Sequence, residues 1–194
     1  SGESAAKVHF SRMAVLFVLG MAHMYLIWWG DILAHYALVG AIAFLFVRLR
    51  AEQLMAAALT TLVLALLWAS GGQFALIESA ARDTPEAVAV WDSFASNFGL
   101  PPRDRLLSEI AAMQGSWAGQ VAWPWDHNGG AVSFLKTVGL ETLAAMLLGM
   151  WAYRSGFITG SWDRSRYRRI AIVCLAVSWT AYLLLGLNTI AQGF

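Results

Sequence analysis

Four side chains stand among apolar neighbours where they could do chemistry: His23, Asp31, His35 and Glu141. A neutral imidazole can accept a proton from a hydroxyl or bind a metal. A carboxylate beside it can orient the ring for general base work. Glu141 is the costliest of the set, because an acid near the centre of a membrane helix costs about 3 kcal/mol and so needs a partner, a proton or water. His23 precedes the Trp28-Trp29 pair by six residues, Glu141 follows Val132 by nine, and His35 follows Asp31 by one turn. At 1.5 Å per residue these positions lie roughly 6 to 13 Å below one interface, so His23, His35 and Glu141 are expected to meet there. Each also has a plainer use. His23 can bridge two helices, Asp31 can cap one, and His35 can pair with Asp31 at i, i+4.

The elements that must position these residues are apolar runs. Of 194 residues, 59% are hydrophobic and only 13% charged, well below the roughly 25% charge of soluble domains. Residues 13–29 and 31–47 form two such runs separated by Gly30, followed by 53–70, 132–152 and 170–187. Each is long enough to cross about 30 Å of hydrocarbon as a helix. Hydrocarbon admits no unpaired backbone, so the expected architecture is an all-α, polytopic membrane bundle with about five transmembrane helices in a single domain. Gly30 in the left-handed conformation is expected to end the first helix, with Asp31 capping the second. Gly20, three residues before His23, allows close approach of a neighbouring helix.

Lys and Arg divide unevenly between the two sides of such a bundle. Nine fall on the side of the N-terminus and four (Arg82, Arg103, Arg105 and Lys136) on the other, which places the N-terminus in the cytoplasm. The basic run Arg164 to Arg169 reads as a topology anchor touching acidic lipid. Residues 71–131 then form an extracytoplasmic cap. Within it, Thr84 and Pro85 open an amphipathic helix ended by Gly99-Leu100-Pro101. A second helix from about Pro102 aligns Leu106, Ile110, Met113, Trp117 and Val121. Asp126-His127-Asn128-Gly129-Gly130 reads as a solvated turn that could face the cavity below.

Several function classes are excluded or unsupported. A net charge of +1 offers no basic stripe for nucleic acid. The single Cys174 forms no internal disulfide and gives no metal spacing, so no metal is expected. No nucleotide fingerprint, serine elbow or other cofactor motif is present.

Arg12, Gly20, His23, Gly30-Asp31-Ile32-Leu33 and Tyr36-Ala37 resemble a motif of the YeiB family of bacterial inner-membrane proteins. Met146-Leu147-Leu148-Gly149-Met150 and Tyr153-Arg154-Ser155-Gly156-Phe157 are similar to a second block of that family. The family has no established activity and is grouped distantly with membrane acyltransferases. The resemblance implies acyl transfer to an extracytoplasmic acceptor, with an acyl donor or lipid tail lying between helices. It also implies that further helices of a longer chain complete the bundle, with membrane lipids as the other partner. His23 would be the base, oriented by Glu141 or Asp31. The alternatives are a transporter or lipid-binding module in which Glu141 and the histidines relay protons or ions, and a non-catalytic membrane scaffold.

Overall fold

The computed structural model describes all residues except 1–3, 29, 83, 99–100, 128–129 and 192–194, and the backbone alone for 80, 95–98, 123–127, 130–132 and 189. The Ser4 hydroxyl accepts the Lys7 N–H at 3.3 Å and starts helix α1, Ala5–Leu26. The helix ends where the N–H groups of Ile27 and Trp28 both return to the His23 carbonyl, at 3.0 and 2.9 Å. This is earlier than the expected stop at Gly30, which does not adopt positive φ. A Cβ there would stand 2.6 Å from Cζ2 of the exposed Trp28 ring, which would have to swing aside. Asp31 does cap the next helix, α2, Leu33–Ala43, its Oδ1 accepting the Leu33 N–H at 2.7 Å.

Helices α1 and α2 pack as an antiparallel hairpin whose register is set by small residues. A Cβ on Gly20 would lie 2.2 Å from the Ala34 backbone nitrogen, and one on Gly40 would lie 2.7 Å from Met13 Sδ. At the far end the rings of His9 and Phe44 stack at 4.8 Å. Met24 and Ala34 are fully buried in this seam. The expected second crossing, 31–47, is realised as 11 α-helical residues followed by the 3-10 turn Phe44–Phe46. Together these reach roughly 22 Å, less than a typical hydrocarbon core.

Helix α3, Ala51–Ala80, begins with the Arg50 N–H donating to Gln53 Oε1 at 2.9 Å. It runs through Gly71-Gly72, where the sequence places its end. Two interior glycines cost about 1 kcal/mol each, and helix formers on both sides carry the hydrogen-bond ladder across them. The Glu78–Arg82 ion pair at i, i+4 supports its last turn. Helix α4, Pro85–Phe98, opens as expected, Thr84 Oγ1 accepting the Ala87 N–H at 3.3 Å; its expected stop, Gly99-Leu100, lies outside the described residues.

The single helix expected after Pro102 is two, α5 (Arg103–Met113) and α6 (Trp117–His127). Gly115 and Ser116 divide them, because Ser116 Oγ caps the new helix by accepting the Gly119 N–H at 3.3 Å. The Gln120 amide donates back to Met113 O at 2.8 Å and Gly115 O at 3.3 Å, satisfying carbonyls that the break leaves open. Helix α7 spans Gly130–Arg154 and α8 spans Arg164–Ala191.

The described residues are helical, without a strand, and four helices are long and apolar enough to cross a membrane: Ala5–Leu26, Ala51–Ser79, Ser133–Arg154 and Arg164–Asn188. The chain divides into two compact units, Ser1–Met150 and Trp151–Phe194. In the second unit the turn between α7 and α8 is knotted by aromatic rings. Gly156 (φ 83°) and Gly160 (φ 75°) reverse the chain in a region that side-chain-bearing residues avoid. Trp162 packs edge-on against Trp151 and Phe157 at 5.9 and 5.2 Å, and its Nε1 donates to Ser155 O at 2.7 Å.

Candidate functional site

The α1–α2 hairpin brings His23 and Asp31 together. Gly20 lets the start of α2 lie against α1, and one turn further on His23 Nδ1 stands 2.6 Å from Asp31 Oδ2. The oxygen lies off the direction of the ring N–H, so the pair is held at ion-pair distance without a straight hydrogen bond. The exposures differ sharply: Asp31 is 5% exposed and the His23 side chain 37%. A carboxylate so buried must have its lone pairs satisfied. Oδ1 takes the Leu33 N–H, Oδ2 faces the imidazole, and the N-terminus of α2 adds its positive end. In the tautomer that carries its proton on Nδ1, beside Asp31 Oδ2, Nε2 keeps its lone pair. That is the arrangement of a general base with its orienting acid.

His35 and Glu141 do not join this pair. His35 is 1% exposed, and its Nε2 lies 2.8 Å from Thr142 Oγ1 of α7. The i, i+4 pairing of His35 with Asp31 is therefore not made, since both Asp31 oxygens are engaged by His23 and Leu33. His35 Nδ1 is buried without a partner. Of the two tautomers, Nε2–H donating to Thr142 is the less costly, because it leaves an unpaired acceptor inside and not an unpaired donor. Glu141 is the neighbour of Thr142 on α7, about 100° further round the helix, and its side chain is exposed. The expected meeting of His23, His35 and Glu141 at one level is thus replaced by two separate pairs, His23–Asp31 and His35–Thr142. Among the described residues no group of three or more His, Cys, Asp or Glu could hold a metal ion.

A cavity of about 270 Å³ lies at the end of α1, its lining beginning at Met24, the residue after His23, and including neither His23 nor Asp31. One wall is the end of α1, from Met24 to Trp28; the other comes from Glu109, Met113, Trp117, Gln120 and Val121 of α5 and α6. Trp117 Nε1 donates to Leu26 O at 3.1 Å and ties the two walls together. The apolar stripe expected on 106–121 is divided by the break at Gly115. Met113, Trp117 and Val121 line the cavity, although Met113 and Trp117 are exposed, as are Leu106 and Ile110, which do not line it. The side chains of Asp126 and His127 lie outside the described residues.

No family model, curated protein or solved structure matches the chain. The likeness to the YeiB family rests on the motif residues alone.

Two contributors escape a reading by residue type. His9 Nε2–H donates to Gly40 O at 3.1 Å, just where α2 tightens into its 3-10 turn. His9, Met13, Leu16, Gly20 and His23 fall at spacings of four, three, four and three, a helical stripe that would have identified the packed face. Glu109, on a short polar helix, gave no comparable signal.

Proposed function

We propose that this chain is part of a multi-pass bacterial inner-membrane protein, N-terminus cytoplasmic, that transfers an acyl group to an extracytoplasmic hydroxyl. The observation that carries the reading is the 2.6 Å contact between His23 and the buried Asp31. His23 Nε2 takes the proton of the acceptor hydroxyl as its oxygen attacks the acyl carbonyl. The imidazolium then returns that proton to the departing donor group, with Asp31 facing the charged ring throughout. The cavity between α1 and α5–α6 presents polar and apolar surface about equally, with Glu109 and Gln120 beside its aliphatic and aromatic side chains, which suits the polar end of an acyl donor and the start of its chain. In this reading α2 is the fifth crossing, and α4, α5 and α6 form the cap over the outer end. His35 and Thr142 position α2 against α7, and Glu141 takes no step. The YeiB likeness points the same way.

A proton or ion relay through Glu141 has less support, because Glu141 is exposed and both histidines take other partners. A non-catalytic scaffold would need the same packing without the chemistry. The test replaces His23 by glutamine in the intact protein, in cells fed a labelled fatty acid. Labelled surface and lipid acceptors should fall about 10²–10⁴-fold. Undiminished transfer at normal protein level removes the base assignment and leaves the scaffold.

A further inference from the structure

The turn that joins α7 to α8 carries a charge that the acyl-transfer reading does not use. In residues 151–194 there are five arginines, 154, 164, 166, 168 and 169, against one carboxylate, Asp163. Asp163 is itself occupied: its side chain accepts from Ser165, and its backbone oxygen takes the N–H of Arg166 at 3.1 Å and of Tyr167 at 3.3 Å. Arg164, Arg166, Arg168 and Arg169 are all exposed. They occupy the first six residues of α8, immediately before the apolar run that starts at Ile170. A helix that crosses hydrocarbon from Ile170 onward holds these guanidinium groups at the level of lipid headgroups.

One of them is set in place by its surroundings. The Arg166 guanidinium carbon lies 3.5 Å from the centre of the Trp162 ring. That indole is fixed in turn by Trp151, Phe157 and its bond to Ser155, while the Tyr167 hydroxyl donates to Phe157 O. Stacking uses the flat face of a guanidinium and leaves its N–H edges free. Arg169 stands at i+3, on the same face of α8 as Arg166. Two forked donors side by side, one of them immobilised, match the oxygens of a phosphate.

We propose that Arg166 and Arg169, on the Trp162 platform, form a site for the headgroup phosphate of an anionic phospholipid. Zwitterionic lipids share the phosphate but carry a cation that the surrounding arginines repel, so the site discriminates by net charge. The proposal rests on α8 crossing the membrane and not on the His23–Asp31 chemistry, so loss of transfer in His23→Gln leaves it untouched.

The experiment reconstitutes the protein in phosphatidylcholine vesicles containing spin-labelled phosphatidylglycerol or spin-labelled phosphatidylcholine, and compares the motionally restricted fraction of each label. Phosphatidylglycerol should be held preferentially, and Arg166→Gln or Arg169→Gln should each lower that preference by up to about fivefold at low salt. Trp162→Leu, which keeps every charge, should lower it as well, whereas a general charge effect would not respond. Equal restriction of the two labels in the unaltered protein overturns the proposal. So does a preference that survives Arg166→Gln/Arg169→Gln. Competition by millimolar inorganic phosphate assigns the site to a free anion and overturns the lipid. If the double variant does not fold, the comparison of the two labels in the unaltered protein, with and without 0.5 M salt, decides alone.

Discussion

Gly20→Ala is the sharpest test of the hairpin that creates the dyad. The added carbon would start 2.2 Å from Ala34 N and 2.9 Å from both Ala34 Cα and Leu33 C. All three are backbone atoms, so no rotamer change relieves the clash. Ordinary contact begins near 3.4 Å, so α1 and α2 must part by about 1 Å, an overpacking that costs ~1–3 kcal/mol. Alanine returns about 1 kcal/mol through its better helix propensity, leaving a net loss of up to about 2 kcal/mol. The same parting opens the 2.6 Å His23–Asp31 contact one turn away, so on the proposed function transfer should fall with stability. Reversible unfolding by sodium dodecyl sulfate in mixed micelles, followed by circular dichroism, measures the first effect. Gly72→Ala is the control: no atom lies within 4 Å of its would-be Cβ, and the substitution should stabilise α3 by up to about 1 kcal/mol. If Gly20→Ala is as stable as the parent or more so, the two helices do not meet at this register, and the site built on it is lost.

Two further expectations concern other contacts. Thr142→Val removes the partner of His35 Nε2 and should cost about 0.6 kcal/mol, and at most ~2, in the same unfolding assay. Adding His35→Leu should recover part of that loss, since it removes an imidazole left with two buried, unpaired nitrogens; no recovery would show that the 2.8 Å bond does not form. Asp163 titrates below the usual carboxylate range, chiefly because the Ser165 hydroxyl donates to it, helped by its own backbone and that of Arg166 and by the Arg166 charge. A carboxylate whose folded value is depressed contributes stability above its unfolded value and loses it as pH falls through the folded one. Ser165→Ala should therefore move the acid limb of the thermal melt toward higher pH, and an unmoved limb would show that the hydroxyl does not set the titration.

The hairpin was legible because its signals are local. Gly20, His23 and Asp31 each announce a close approach, a misplaced polar group or a cap, and the fold uses all three in those roles. What was not legible depended on neighbours distant in sequence. The placing of His35 beside Asp31 followed i, i+4 spacing alone, but the Asp31 oxygens were already taken across the turn, and the nearest hydroxyl came from Thr142, 107 residues away. Glu141 was placed by depth, and depth does not specify azimuth: a shift of one residue, about 100° on the helix, separates it from Thr142. Gly71-Gly72 and Gly115 show the same weakness in reading helix ends. The first pair lies inside a helix although Ser70 stands beside it, whereas beside Gly115 Ser116 caps a new helix.

The shortness of α2 has a consequence for access. In the proposed orientation, with Arg48 and Arg50 at the cytoplasmic surface, a helix of roughly 22 Å would stop about 8 Å below the opposite one. The bilayer can meet that deficit by dimpling inward, as it does around hydrophobic segments that are too short. A dimple at Asp31 would bring headgroup water and dissolved acceptors down to His23. Meanwhile the longer α1 and α3 keep the surrounding leaflet at full thickness, so a reaction between a lipid-borne donor and a water-borne acceptor could proceed where the two phases touch.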